Sequence, residues 1–230
     1  MKTYFFTCLV TLLSASYGLA QTDVQSELTK DEIKRVTARE FVIKTREIQG
    51  LAWPEVTFYT TIDATPLEAM AIFAAYDIQK DYVPGVIKSI PIKHVSATDV
   101  LTAYEMHMPF PMSNAVYTHG GRIFRHKDDY ELQWYMLEST SAEDVKGSAY
   151  YAPFNGKTLL RYKSLVVPKS IFGSLVKKVM MKDVEKSLVA IRNFTEKNIK
   201  ENPALVSKYS EFITRALSGE FVYQTIIDKK

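Results

Sequence analysis

The sequence has no means of forming an internal disulfide, because its one cysteine, Cys8, lies near the amino terminus and no second cysteine follows. The fold must therefore be stabilised by burial of a core rather than by cross-links. Long hydrophobic runs are also lacking. The apolar run at residues 4–13 has about half of the roughly 20 residues that a transmembrane helix needs, which argues against a membrane span.

An excess of one charge is absent as well. Lysine and arginine number 29 against 26 aspartates and glutamates, and the formal net charge is +3. Proteins that bind nucleic acid usually concentrate basic residues on one face, so we predict no nucleic-acid partner. With 47% apolar residues in a chain of 230, the composition is that of a globular domain with a substantial core.

The signatures of common catalytic sites are missing. No Gly-x-Ser-x-Gly nucleophile motif occurs. His94, His107, His119 and His126 form no i, i+4 pair, the spacing with which helical histidines bind zinc. We therefore predict no catalytic residue, no metal site and no cofactor, and we expect the histidines to be at the surface or hydrogen-bonded.

The amino terminus has the form of a secretory signal peptide. Lys2 supplies the positive charge, residues 4–13 the apolar segment, and Gly18 and Ala20 the small side chains that signal peptidase accepts at positions −3 and −1. We predict cleavage after Ala20, a mature protein that starts at Gln21, and a periplasmic or secreted location.

Most of the following sequence alternates between apolar and polar residues, with many aromatic and β-branched side chains, as antiparallel strands with one buried face do. Proline, glycine and aspartate mark the turns between the segments. Strands are predicted at residues 40–49, 55–63, 86–95, 101–108, 116–125, 130–138, 145–152 and 158–166.

Helices are predicted on both sides of this region and once within it. Residues 22–39 are predicted to be helical in part, with a capping box formed by Thr29 and Glu32. Thr65, Pro66 and Glu68 give a complete helix start for residues 65–76. Residues 170–199 carry apolar side chains three and four positions apart and therefore predict a long amphipathic helix. Residues 204–217 predict one more. A sheet with a long helix across its apolar face is an α+β arrangement.

Four segments resemble the START (steroidogenic-acute-regulatory-related lipid-transfer) domain of the helix-grip superfamily. They are IDATPLEAM at 62–70, DYVPGV at 81–86, PFPMSN at 109–114, and GSAY with GKTLLRY between 147 and 162. The resembling stretch covers roughly residues 40–199. Asn114 and Ala115 depart from the family pattern, since an Arg-Asp pair is usual there, and no charged ligand contact is carried over.

The resemblance implies a helix-grip fold: a curved antiparallel sheet wrapped around the long C-terminal helix, here with an additional terminal helix, enclosing a tunnel for a lipid, sterol or other hydrophobic small molecule. The expected division of the chain is a signal peptide, an N-terminal helical segment, the START-like lipid-binding domain and a C-terminal helical extension, at residues 1–20, 21–39, 40–200 and 201–230.

Period-two alternation and the helical stripe select the side chains that would line the tunnel. Adaptable methionines and aromatic residues suit such an apolar pocket. The predicted cavity-lining residues are Tyr104, Met106, Met108, Trp134, Met136, Leu160, Tyr162, Met180, Met181 and Val184. Val83, Pro84, Phe110 and Met112 are the predicted hydrophobic rim of the entrance, where the protein would touch a membrane transiently.

Two alternatives stay open. The same residues fit a filled core that binds nothing. Related proteins with this fold include polyketide cyclases and aromatases, so the cavity could serve an enzyme in which pocket tyrosines polarise a carbonyl group. Fold alone does not choose between these functions, and no protein partner is indicated.

Overall fold

The structure, a computed structural model, describes residues 23–108, 113–169 and 173–227, and for residues 173–180 the backbone only. The predicted signal peptide, the rim residues Phe110 and Met112, and the side chain of Met180 lie outside the described parts.

The described residues contain one antiparallel sheet of eight strands in the order β1-β2-β8-β7-β6-β5-β4-β3. All eight predicted strands are confirmed, with ends shifted by a few residues; the first ends at Arg46 rather than at 49. The strands are β1 Val42–Arg46, β2 Glu55–Ile62, β3 Val86–Ser96, β4 Asp99–Met106, β5 Ala115–His126, β6 Asp129–Ser139, β7 Ala142–Phe154 and β8 Lys157–Pro168.

The described parts of the chain hold four α-helices beside the sheet: α1 Lys30–Thr37, α2 Pro66–Phe73, α3 Gly173–Glu201 and α4 Pro203–Leu217. Helices α1 and α2 each begin with a capping box, in which a threonine and a glutamate satisfy free backbone N–H groups. Helix α2 is shorter than predicted. After Phe73 the chain tightens into short-range turns, which bring the ring of Tyr76 into the core.

The inner face of the sheet, the side that carries α2 and α3, holds the main hydrophobic core. Helix α2 is buried almost completely, and Leu188 and Ile191 of α3 are buried as well. Helix α4 packs against α2, and Tyr209 donates a hydrogen bond to Asp77 (2.8 Å). Tyr223, beyond α4, donates one to the carbonyl of Ala74 (2.6 Å). The C-terminal extension is thus part of the core.

The outer face of the sheet carries the N-terminal segment. Glu27 accepts hydrogen bonds from the hydroxyl of Tyr59 and the guanidinium of Arg161, and Lys44 donates to Glu32 of α1 (3.0 Å). A second hydrophobic core forms beneath this segment. Its buried members are Val24, Leu28, Val36, Val42, Tyr59, Tyr150, Phe154 and Leu159.

Candidate functional site

The inner face of the sheet has two halves, which follow one another along the length of the strands. The first, the packed half, lies under α2. Its side chains are at most 9% exposed, and the matching α2 residues Met70 and Ile72 are fully buried. Its members are Ile123, Tyr130, Leu132, Ala149, Tyr151 and Leu160.

The second, the open half, lies further along the same strands, beyond α2. Its side chains are only partly buried, although they point to the same face. The register aligns His119 with Met136, and Val145 with Val166. Its members are Met106, Tyr117, His119, Met136, Val145 and Val166.

Helix α3 lies over the β2–β8 side of the open half. Met181 and Val184 share a small cavity with Trp53, Val56 and Val166. Its volume is about 30 Å³, room for one or two waters. A ligand pocket usually measures about 300–1,000 Å³, so this cavity alone does not hold a lipid.

The boundary between the halves is formed by the ring of Trp134 and the two glycines on either side of it. Trp134 lies between Gly121 and Gly147 in the register. Its ring covers Gly147, stacks on Tyr162 with centroids 4.9 Å apart, and stacks on Phe73 at 6.1 Å. A side chain at Gly147 would collide with this ring, so the close approach requires glycine.

Polar groups enter the open half from β4 and β5. Tyr104 and Tyr117 stack with centroids 5.2 Å apart, and Tyr117 contacts the ring of His119 at 4.5 Å. The Tyr104 hydroxyl donates to the side-chain oxygen of Gln79 (2.7 Å), whose amide donates to the carbonyl of Phe73 (2.6 Å). The hydroxyl of Tyr104 therefore has a hydrogen-bond acceptor within the protein.

Burial controls the charge of these groups. It lowers the pKa of His119 to about 4 and raises that of Tyr117 above its usual value. It also raises the pKa of Tyr162 to about 12. At neutral pH this part of the site is uncharged.

No protein-family model matches the chain, and no curated protein sequence matches it. Solved structures do. A fragment of a STAR-related lipid transfer protein from Xanthomonas axonopodis aligns with a TM-score of 0.61 and 14% identity, over 67% of this chain and 93% of that one. The chain has the START-like helix-grip fold.

Two further solved structures with this fold are a second lipid transfer protein and an aromatase/cyclase. Human StAR-related lipid transfer protein 5 aligns with a TM-score of 0.60 and 8% identity, over 69% of this chain and 83% of that one. The Zhui aromatase/cyclase from Streptomyces sp. R1128 aligns with a TM-score of 0.54 and 12% identity, over 64% and 95%. At these identities the likeness shows the fold alone.

Within this START-like fold, several predicted lining residues come together. Met106 and Met136 lie on the inner face of the open half, and Trp134 and Tyr162 lie at its boundary. Tyr104 is on the same face but is buried, stacked on Tyr117. The α3 residues Met181 and Val184 face the sheet beside the open half. Met108, just beyond the end of β4, is partly buried.

Leu160 is placed differently. It points to the inner face, as alternation predicts, but it is 2% exposed and lies in the packed half opposite Tyr151. The alternation of side chains predicts which face of the sheet a residue points to. It does not predict which positions along the strand are covered by a helix. Leu160 therefore belongs to the packed core rather than to the open half.

The predicted rim is described only in its first part. Val83 is partly buried and Pro84 exposed, in the turn before β3. This turn lies beside the end of β4, because the N–H of His107 donates to the carbonyl of Gly85 (2.8 Å). It thus adjoins Met106 of the open half.

The predicted lining set left out four members of the open half: Tyr117, His119, Val145 and Val166. Of these, the sequence had suggested only Tyr117, as one of several tyrosines that could hydrogen-bond a ligand, another tyrosine or water. Strict alternation along β5 would have placed Tyr117 and His119 on one face with Gly121 and Ile123. His119 was expected at the surface or hydrogen-bonded; instead it is partly buried on the inner face and has no hydrogen bond within the described residues.

An open groove of about 540 Å³ lies on the outer face of the sheet, at the level of Trp134 and Gly147. Its three cations are already paired: Arg122 with Asp99 (2.7 Å), Lys146 with Asp144 (3.0 Å) and Lys163 with Glu55 (4.0 Å). Across the described residues, no three histidine, cysteine, aspartate or glutamate side chains cluster as a metal site would require. Their helices include none with the length and apolar character of a membrane span.

Proposed function

We propose that this protein is an exported carrier that binds one lipid, sterol or other hydrophobic small molecule on the open half of the inner face and shields it from water. The observation that carries this proposal is the contrast along the strands. Beside a packed half that α2 seals, the same sheet presents partly buried methionine, valine and aromatic side chains. Such a surface is completed by an apolar guest.

Burial of the guest supplies the affinity. Apolar surface removed from water contributes about 25 cal/mol per Å², so about 300 Å² of a lipid chain contributes roughly 7 kcal/mol before the costs of association. Because the cavity at Met181 and Val184 is only about 30 Å³, loading requires side chains over the open half to move. The names of the START-like neighbours from Xanthomonas and human, both lipid transfer proteins, support this class of ligand.

Mass spectrometry of organic extracts from the purified full chain tests the proposal. We expect a stoichiometric co-purifying lipid in the wild type and its loss in Val166→Trp, which fills the open half. Val116→Trp is the matched control, since Val116 is 50% exposed on the outer face. Empty wild-type protein that also fails to take up lipid from vesicles would contradict a carrier function.

The entrance is part of the same proposal. Val83 and Pro84 adjoin Met106 through the turn beside β4, and with Phe110 and Met112 they would form a rim that contacts a membrane. Phe110→Asp should slow lipid extraction from vesicles, because a charge opposes insertion among lipid chains. Phe221→Asp, at an exposed phenylalanine elsewhere, is the control. Unchanged extraction by folded Phe110→Asp would remove Phe110 from the rim.

Export is proposed from the sequence of residues 1–20. The mature protein should begin at Gln21 when it is expressed with its own amino terminus in a bacterium and recovered from the periplasm or medium. Intact-mass measurement distinguishes this product from an uncleaved chain in the cytoplasm, which would contradict export.

A second candidate is an enzyme of the polyketide cyclase or aromatase kind. The similarity to the Zhui aromatase/cyclase favours it, together with the Tyr117 hydroxyl and the His119 ring, which face the open half and could polarise a carbonyl. Turnover of a poly-β-ketone substrate by wild type, abolished in Tyr117→Phe, would establish this candidate over the carrier. Binding without turnover favours the carrier.

A further inference from the structure

Tyr117 and His119 are polar groups on an apolar surface. In the register, His119 is aligned with Met136, and Met106 lies on the neighbouring strand β4. The two rings contact each other with centroids 4.5 Å apart, which holds their polar atoms in one small area.

Neither group has a hydrogen bond within the described residues, in contrast to Tyr104, which donates to Gln79. Tyr76 and Tyr151 also have unpaired hydroxyls, but these atoms are sealed in the core and out of reach. Tyr117 and His119 remain partly accessible. A half-desolvated polar group without a partner costs free energy that a ligand can recover by supplying one.

The residues around Tyr117 and His119 indicate whether the polar group of the ligand is charged or neutral. On the inner face of the open half, none of the described strand positions carries Lys, Arg, Asp or Glu, and His119 itself is neutral at physiological pH. On these strand positions a carboxylate or phosphate would therefore meet no counter-charge. A phenol and a neutral imidazole each offer one donor and one acceptor, so together they suit either a hydroxyl or a carbonyl group.

We propose that Tyr117 and His119 form the polar subsite of the pocket and select a neutral amphiphile, a long-chain or polycyclic alcohol or ketone, over an ionised lipid. This inference rests on the proposed function, because it assigns the chemistry of the ligand that the open half takes.

Competition for a neutral fluorescent reporter tests it. The full chain is loaded with N-phenyl-1-naphthylamine and titrated at pH 8 with 1-dodecanol, 2-dodecanone or dodecanoate, three competitors with equal chains and different polar groups. Variants Tyr117→Phe and His119→Phe keep an aromatic ring and lose the hydrogen-bonding atoms. Tyr135→Phe is the matched control, because Tyr135 lies on the outer face and its hydroxyl contacts Asp99.

We expect the alcohol and the ketone to compete at concentrations at least about tenfold lower than the carboxylate. Each inner-face variant should weaken the alcohol by about two- to tenfold, the worth of one hydrogen bond. Affinity for the reporter should stay unchanged, and Tyr135→Phe should match wild type.

Two results would overturn the inference while leaving the carrier function in place, provided that the reporter binds. One is a carboxylate that competes as well as the alcohol. The other is an alcohol affinity that neither Tyr117→Phe nor His119→Phe alters. Failure of the folded wild type to bind the reporter and all three competitors would overturn the inference and the carrier function together.

Discussion

The packed half and the open half of the inner face use the same strands and similar residues, yet they differ in burial. Met70 in α2 is fully buried against the packed half, whereas Met136 on β6 is only partly buried in the open half. What separates them is the extent of α2, which covers one level of the sheet and ends at Phe73. Local sequence is apolar in both places, so the difference arises from which level of the strand a helix covers.

The two parts of α3 differ in the same way. Its second half is anchored: Arg192 donates to the hydroxyl of Thr60 (2.9 Å), and Glu196 accepts from the N–H of Asp63 (2.8 Å) and from Arg39 (2.6 Å). Met181, nearer its start, borders a small cavity instead. The anchored part stabilises the fold, and the part over the open half is the one whose side chains would have to move when a guest is loaded.

The largest expected effect comes from a matched pair of methionine truncations. Met70→Ala removes a side chain from close packing and should lower the free energy of unfolding by about 3 kcal/mol, within the range for buried Leu, Ile or Met truncations. Met136→Ala should cost about 1 kcal/mol, because its side chain is only partly packed. Urea unfolding measures both. Equal losses would contradict the division into halves.

A smaller effect is expected at the boundary. Gly147→Ala places a Cβ against the Trp134 ring and the carbonyl of Lys163, and we expect a loss of about 2 kcal/mol from overpacking. The near-ultraviolet circular dichroism of Trp134 should change as its ring shifts. Ser148→Ala, which alters the outer face of the same strand, is the control. A Gly147→Ala variant as stable as wild type would show that the Trp134 ring can shift to make room for a Cβ at little cost, which contradicts this prediction.

The third prediction concerns pH. Burial lowers the pKa of His119 to about 4 in the folded protein, whereas an unfolded histidine titrates near 6.5. Between these values the unfolded state binds more protons, so the stability present above about pH 6.5 is lost as pH falls toward 4. The difference between these pKa values corresponds to at most about 3 kcal/mol by pH 4. Because the His119 ring is partly exposed and solvent screens its charge, we expect a loss of roughly 1–2 kcal/mol.

Urea unfolding at a series of pH values separates this contribution. His119→Gln should flatten the dependence between about pH 4 and 6.5, and His107→Gln, at an exposed histidine, should leave it unchanged. An identical pH dependence in His119→Gln and wild type would show that His119 is solvated like a surface residue.

The smallest effect compares two stacked tyrosines. Tyr104→Phe removes the hydrogen bond to Gln79 and should cost about 1 kcal/mol. Tyr117→Phe should change stability by less than about 0.5 kcal/mol, because its hydroxyl has no partner within the described residues. The same unfolding measurement checks both. A Tyr117→Phe loss as large as that of Tyr104→Phe would reveal a hydrogen bond at Tyr117 and weaken its role as a ligand contact.

Much of the fold was predictable from local signals. Alternation located all eight strands, the Thr65-Pro66-Leu67-Glu68 start located α2, and the apolar stripe located α3. These signals succeed because side-chain direction has a fixed period in each element. The same rule placed Tyr104, Met106 and Met136 on one face, and applied to β5 it would have added Tyr117 and His119.

The sequence by itself determined the α+β class, the order of the elements and the face to which each strand residue points. Only the tertiary structure decided which inner-face residues are sealed and which stay accessible, placing Leu160 under α2 and His119 in the open half. Local periodicity reports direction around a strand axis, whereas burial depends on where a helix distant in sequence comes to rest along that axis. The packing of α2, α3 and α4 settles that position.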